Sequence, residues 1–326
     1  MRESAESRAF AQQFGILAMI SCMLLKSGGK CGIILLTKNR KGGKTMLYTI
    51  KNDKLEVSAD TFGAELHSVR LGGREYLWQC GDAWKRWAPI LFPFICSPKD
   101  KAYSAKGKAF KMKANHGFAR DMEFAFKEQT ENSLSFVLTE NAESLAQYPY
   151  KFTLEVKYTI ESNRLRVENF VTGGEEMYFY LGAHPAFSFE DGEGIDGYYV
   201  EFDENEHITQ VIGGEEVTLV ENGRVLEMSR ALFDNDSIPL EHPNSKAISL
   251  KSRRSGRYVR LEYPVSDCIT VWSPTGDDRA GFVCLEPWTS VPTFCDDEFE
   301  AIEDKPHAIK LAQGETYRYY YDIELF

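Results

Sequence analysis

From Leu47 onward, apolar and polar residues alternate at period two over many short stretches. Successive side chains of a strand point to opposite faces, so such alternation marks strands buried on one side. The clearest case sets Phe152, Leu154, Val156, Tyr158 and Ile160 between Thr153, Glu155, Lys157 and Thr159. A Ser162-Asn163 turn follows, and Leu165 and Val167 resume the pattern on a new strand. Residues 66–71 meet residues 75–78 through Gly72-Gly73, a hairpin signal. Residues 47–50, 55–57, 122–126, 134–138, 198–202, 247–250, 258–263, 270–272 and 316–323 read the same way. Helical signal is confined to residues 141–146 and 229–233. Many short strands at hairpin spacing without long helices predict an all-β fold, a large antiparallel β-sandwich with few short helices. Within it, residues 178–187 read as an aromatic strand running into His184, with Pro185 fixing the backbone that follows.

The chain of 326 residues is long enough for one large β domain. Its formal net charge of −11 argues against a nucleic-acid partner and against stable association with an anionic membrane. The seven cysteines, at 22, 31, 80, 96, 268, 284 and 295, are odd in number and lack CxxC spacing. They read as reduced thiols of a cytoplasmic protein, not as a disulfide framework.

The charge is unevenly spread. Residues 1–45 carry eight Lys/Arg against two Asp/Glu, leaving 30 against 47 in the remainder. The apolar run from Gly15 to Leu25 is too short to span a bilayer. Arg2 and Arg8 beside it resemble signal-peptide flanks, but Lys26-Ser27-Gly28-Gly29-Lys30 replaces a small-residue cleavage site. Arg40-Lys41-Gly42-Gly43-Lys44-Thr45-Met46 reads instead as a translated ribosome-binding site ahead of a start codon. Residues 1–45 are therefore expected to be a disordered or non-native extension, with Met46 as the true start and residues 46–326 as a single domain. The Gly42-Gly43-Lys44-Thr45 string fails the P-loop spacing, because position 38 is Lys.

Three stretches carry candidate chemistry: Asn115-His116-Gly117-Phe118-Ala119-Arg120, Gly182-Ala183-His184-Pro185, and Cys284-Leu285-Glu286-Pro287-Trp288. A carboxylate at the end of an apolar strand beside Trp288 is partly desolvated, which raises its pKa and suits it to act as a base. Two imidazoles can hold or protonate an oxygen near neutral pH. Arg86 adds a fork of donors, and Trp84, Trp87, Phe187 and Trp288 offer flat faces to a ring-shaped ligand. Taken singly, each has an ordinary reading. Glu286 can leave a strand for solvent and Arg86 can be a surface cation, while His67, His207, His242 and His307 read as structural.

The motifs at residues 116–120, 182–187 and 284–288, with Ala88-Pro89-Ile90-Leu91-Phe92-Pro93 after Arg86, resemble the aldose 1-epimerase (galactose mutarotase) family, in its LacX-like branch. The resemblance runs from about Met46 to the C-terminus. It implies a β-sandwich with a sugar cleft, Glu286 as general base, His184 as general acid, and His116 holding the ring or anomeric oxygen. It implies a small-molecule sugar as partner, and neither a metal nor an organic cofactor. Arg86 would bind a sugar hydroxyl, Asp236 would match an acidic sugar-binding position, and Trp288 would supply an apolar platform. Arg120 would serve a phosphate on a sugar phosphate, or stand as a structural arginine at a strand edge. A monomer or homodimer is expected.

Two other readings stand beside this one. His116, His184 and Glu286 form a His₂Glu set of zinc-ligand type, although no HExxH is present. A carbohydrate-binding module that has lost its chemistry would also keep the fold. Asp267-Cys268-Ile269-Thr270 stands where the branch usually has a more apolar, aromatic stretch, which leaves the sugar preference open.

Overall fold

The computed structural model describes side chains over residues 45–326 apart from 213 and 278, and backbone for a few short strands before them. The expectations for residues 1–45 lie largely outside the described residues. Two antiparallel sheets dominate. The larger runs in the order Ala125–Gln129, Ser133–Thr139, Phe152–Glu161, Arg164–Gly173, Thr316–Leu325, Tyr258–Glu262, Ala247–Ser252, Tyr198–Ile212, Glu215–Glu227. Along Phe152–Glu161 the five alternating apolar residues are all buried, and the polar residues between them stay partly exposed. Period-two patterning thus becomes one face on the core and one toward water.

The second sheet holds the site. Its order is Ser237–Glu241, Cys268–Trp272, Phe282–Trp288, Gly182–Ala183, Ile90–Leu91, with Ala186–Ser188 also paired to Phe282–Trp288. A third sheet includes Lys44–Lys51, Leu55–Asp60, Leu66–Leu71 and Arg74–Glu75, and realises the Gly72-Gly73 hairpin. One continuous apolar core draws on all three, joining Val57 and Leu66, Leu154 and Tyr158, and Ile90 and Leu285. The fold is an antiparallel β-sandwich with, among the described residues, one short α-helix, Ala142–Leu145, capped by Asn141, and a few 3-10 turns such as Arg230–Phe233. Among the described residues no helix is long and apolar enough to cross a membrane.

Three local readings need correction. Residues 178–187 do not form one strand. Met177–Phe179 pairs with Ile309–Leu311, Gly182–Ala183 with Ile90–Leu91, and Ala186–Ser188 with Phe282–Trp288. The chain breaks between them because its main chain is claimed from elsewhere: Tyr180 N–H by Pro93 O at 2.8 Å, and Leu181 N–H by Thr289 Oγ1 at 3.2 Å. The strand bearing Glu286 does not stop before Pro287 but runs on through Trp288, with Pro287 opposite Ile269. Finally, Glu215–Glu227 is a 13-residue strand where no alternation announces one, because most of its side chains face solvent.

Candidate active site

Gly182 pairs with Trp288 and Ala186 with Cys284 across the same two chains. The residue midway, His184, is therefore brought opposite Glu286, and opposed residues in an antiparallel pair project from the same face. Nε2 of His184 lies 3.2 Å from Oε2 of Glu286. His184 is held on both sides: its N–H donates to Pro89 O at 3.1 Å, and Pro185 O accepts from Leu285 N–H at 3.2 Å. Gly182 permits this approach, since a Cβ there would stand 2.6 Å from Cδ1 of Trp288.

His116 comes from a different part of the chain. It sits in a left-handed turn at φ 61° rather than at the start of a strand, and Cys96 clasps it twice. The His116 N–H donates to Cys96 O at 2.5 Å, and Cys96 N–H donates to Nδ1 of the imidazole at 3.0 Å. A ring nitrogen that accepts carries no proton, so the neutral ring presents Nε2–H as a donor. Burial, then the charges of Arg120, His184 and Arg86, hold its pKa well below the usual imidazole value. The ring stands edge-on to His184 at 5.5 Å and 88°. Gly117 makes the turn possible, because at φ 72° an added Cβ would lie 2.0 Å from Phe92 O.

The remaining predicted residues surround this trio in different ways. Arg86 donates to Oδ1 of Asp121 at 2.9 Å and to Arg120 O at 3.3 Å. Arg120 donates to Asn115 O at 2.7 Å from the Ala119–Asp121 turn, so it is not at a strand edge. Its charge reaches His116, His184 and Glu286. Asp236 is exposed, in a left-handed conformation, and accepts from Nε1 of Trp272 at 2.8 Å. Trp288 is buried beneath the site against Gly182, and Phe187 is fully buried, so neither shows a face to solvent. Trp87 stacks on His67 at 3.7 Å. Trp84 does face the site: its half-buried indole stacks on His184 at 4.9 Å and 24°. Trp272 closes the other side edge-on at 5.3 Å.

Electrostatics single out the pair. Glu286 is pushed well above the carboxylate range by burial and then by the charge of Asp236, with Trp288 and Arg120 opposing. Burial, with the Arg120 charge next, lowers His184 to about 3. A protonated carboxyl beside a neutral imidazole holds the same number of protons as a carboxylate beside an imidazolium. The pair therefore carries one proton over a wide pH range, movable across a single contact. Nδ1 of His184 is buried without a hydrogen-bond partner, and the 3.2 Å approach of Oε2 of Glu286 to Nε2 of His184 falls short of hydrogen-bond alignment. Buried polar atoms left short of partners at one place ask for a polar ligand.

Among the described residues, the set with metal-ligand spacing is His184, Cys284 and Glu286, whose ligand atoms lie within 4.8 Å of one another; it does not include His116. A coordinating cysteine must be a thiolate. Burial and Glu286 push the Cys284 thiol well above its ordinary value, and the Arg120 and Arg86 charges reaching His184 oppose a cation.

Sequence reasoning missed Glu65. This buried carboxylate accepts from Trp87 N–H at 2.8 Å and Ala88 N–H at 3.1 Å, fixing the segment whose Pro89 carbonyl holds His184. The one available signal was a charge between Ala64 and Leu66. Fully buried Thr270, directly opposite Glu286 on its other side, was also missed.

A family profile for aldose 1-epimerase matches residues 46–324. Plasmid and chromosomal Protein LacX of Lactococcus lactis subsp. lactis are each 34% identical over 300 residues, covering 86% of this chain and 99% of theirs. Among solved structures, a galactose mutarotase related enzyme from Lactobacillus acidophilus is 26% identical with a TM-score of 0.78, over 86% of this chain and 97% of its own. A galactose mutarotase-like protein from Lactobacillus casei is 28% identical with a TM-score of 0.77, over 86% and 100%. The sandwich is thus a sugar epimerase/mutarotase fold, and the chain belongs to the aldose 1-epimerase family.

Proposed function

We propose that the protein interconverts the α and β anomers of a free aldose, a hexose such as glucose or galactose, by acid–base opening and closure of the ring. The observation that carries this reading is the buried His184–Glu286 contact of 3.2 Å with one proton to share. The anomeric hydroxyl and the ring oxygen are both bonded to carbon 1, so two adjacent groups can address both. Sugar hydroxyls donating to the carboxylate favour its charged form, moving the shared proton to His184. Glu286 then takes the proton of the anomeric hydroxyl while His184 gives its proton to the ring oxygen, and the carbon 1–ring oxygen bond breaks. The open aldehyde turns about its carbon 1–carbon 2 bond, and the two groups reverse roles as the ring closes on the other face. Nε2–H of His116 donates to the oxygen that gathers charge. Arg86 and Asp236, placed by Asp121 and Trp272, bind hydroxyls at the rim. Neither a metal nor an organic cofactor takes part in this scheme.

Polarimetry on fresh α-glucose and α-galactose tests it, with glucose 6-phosphate alongside because Arg120 lies at the site. Wild-type rates at the uncatalysed level with all three would leave a binding protein. Selective turnover of the phosphate would move the reading to a sugar-phosphate mutarotase.

A further inference from the structure

Beyond Phe202 the strand Tyr198–Ile212 leaves the body of the large sheet. Residues 198–202 pair with Ala247–Ser252, whereas residues 206–212 pair with Glu215–Glu227 alone. The outer half is therefore a two-stranded ribbon, which is marginal in water without support from a neighbour. Its base is anchored by Glu206, a buried carboxylate that accepts from Ser245 N–H at 2.7 Å and from Asn244 N–H at 3.3 Å. Further out, Ile208 and Val220 oppose each other across the ribbon and are both buried.

The outer ribbon meets the turn that carries Asp236. Nε2 of the half-buried Gln210 donates to Ser237 O at 3.0 Å. The next residue, Val211, accepts at its carbonyl from Nδ2 of Asn235. Asn235 and Ser237 are the two chain neighbours of Asp236, so the ribbon grips the turn on both sides of the acid. Asp236 stands at φ 85°, in the left-handed region. A residue with a Cβ stays there only where its surroundings hold it. Its N–H donates to Phe233 O at 3.0 Å, and its Oδ1 accepts from Nε1 of Trp272 at 2.8 Å. What the turn carries bears directly on the acid–base pair. Trp272 stands edge-on to His184, and after burial the Asp236 charge is the next influence raising Glu286.

We propose that Gln210 is a positioning residue for the sugar-binding rim, setting Asp236 through the Ser237 carbonyl; this rests on the reading of Asp236 as a binder of a sugar hydroxyl. The group facing Ser237 O must be a donor, because a carbonyl only accepts. Gln210→Glu keeps the shape and puts an acceptor there, and Gln210→Ala removes the contact. Thr209→Ala, on an exposed neighbour in the same strand, is the control. The first readout is the indole N–H resonance of Trp272, identified among the five tryptophans by Trp272→Phe, which reports the bond to Asp236 whether or not any sugar is turned over. In both Gln210 variants it should shift and exchange with water up to about tenfold faster, the scale of one ordinary hydrogen bond. In Thr209→Ala it should stay in place. The second readout is polarimetry on galactose, where KM should rise about fivefold in both Gln210 variants with kcat nearly unchanged. An unmoved Trp272 resonance in both variants would overturn the proposal. So would a lower kcat that merely tracks loss of folded protein with KM unaltered, since Gln210 would then be structural only. Absence of turnover by wild type would instead sink the mutarotation reading, and the Trp272 resonance would still decide whether Gln210 sets Asp236.

Discussion

His184 and Glu286 face each other across one antiparallel pair, 3.2 Å apart, with both side chains nearly closed off from solvent. Each strand alone presents an ordinary polar residue; the register makes them a unit. Glu286→Gln and His184→Asn are each expected to lower kcat by about 10²–10⁴-fold. The double variant should be little worse than the poorer single, because the two groups share one proton. Multiplicative losses in polarimetric rates would show that they act independently.

The pH profile follows from the same pair. It fails on the acid side when it takes a second proton, which the depressed His184 resists down to about 3. It fails on the alkaline side when it loses the shared proton, which the raised Glu286 resists well above the carboxylate range. Mutarotation should therefore be flat from about pH 5 to about pH 7 once the uncatalysed rate is subtracted. A single inflection near pH 6.5, that of an ordinary imidazole, would contradict a shared proton.

Stability should respond on the acid side. In the unfolded chain the imidazole is protonated below about 6.5 and the carboxyl below about 4.3, whereas the folded pair keeps a single proton until His184 titrates at about 3, so the unfolded state holds the extra proton from about pH 4.3 down to about 3. Stability therefore rises with pH across that window and is lost as pH falls through it, by about 2 kcal/mol. Thermal melts of wild type and His184→Asn over this range should diverge, with the variant flatter. Parallel curves would place the acid sensitivity elsewhere.

Trp84 stacks on the ring that becomes an imidazolium in the proposed cycle. An indole face stabilises such a cation by about 1 kcal/mol. Trp84→Leu is expected to lower kcat about fivefold and to move the acid limb downward, whereas Trp84→Phe should recover most of the loss. Equal effects of Leu and Phe, confined to KM, would make Trp84 a sugar platform only.

Gly117→Ala places a methyl 2.0 Å from Phe92 O at a φ of 72°. Loss of more than about 3 kcal/mol of stability is expected, together with loss of His116 from the site. A variant melting within a few degrees of wild type would mean that the turn can relax.

The large sheet was legible because Phe152 to Ile160 alternate strictly, and alternation is what one buried face imposes. Glu215–Glu227 was not, because a strand exposed along most of its length has no pattern to write. The motifs around His116, His184 and Glu286 lie far apart in sequence and come together in the structure. The clasp of Cys96 on His116 and the grip of Glu65 on the 87–88 main chain were hidden, since each depends on partners about 20 residues away meeting through backbone groups that any residue carries. The breaks in residues 178–187 were hidden for the same reason: the competing acceptor Pro93 O and the Thr289 hydroxyl oxygen lie in distant segments of the chain.

The pairing of Gly182 with Trp288 and of Ala186 with Cys284 joins segments roughly a hundred residues apart in sequence. Contacts of such separation carry a loop-closure cost that local hairpins do not, and the pairing of Arg164–Gly173 with Thr316–Leu325 closes longer loops still. During refolding, the proposed activity would then return with the closure of these long-range pairings and not with the local hairpins. No piece of the chain that ends before Glu286 would hold even a fraction of it.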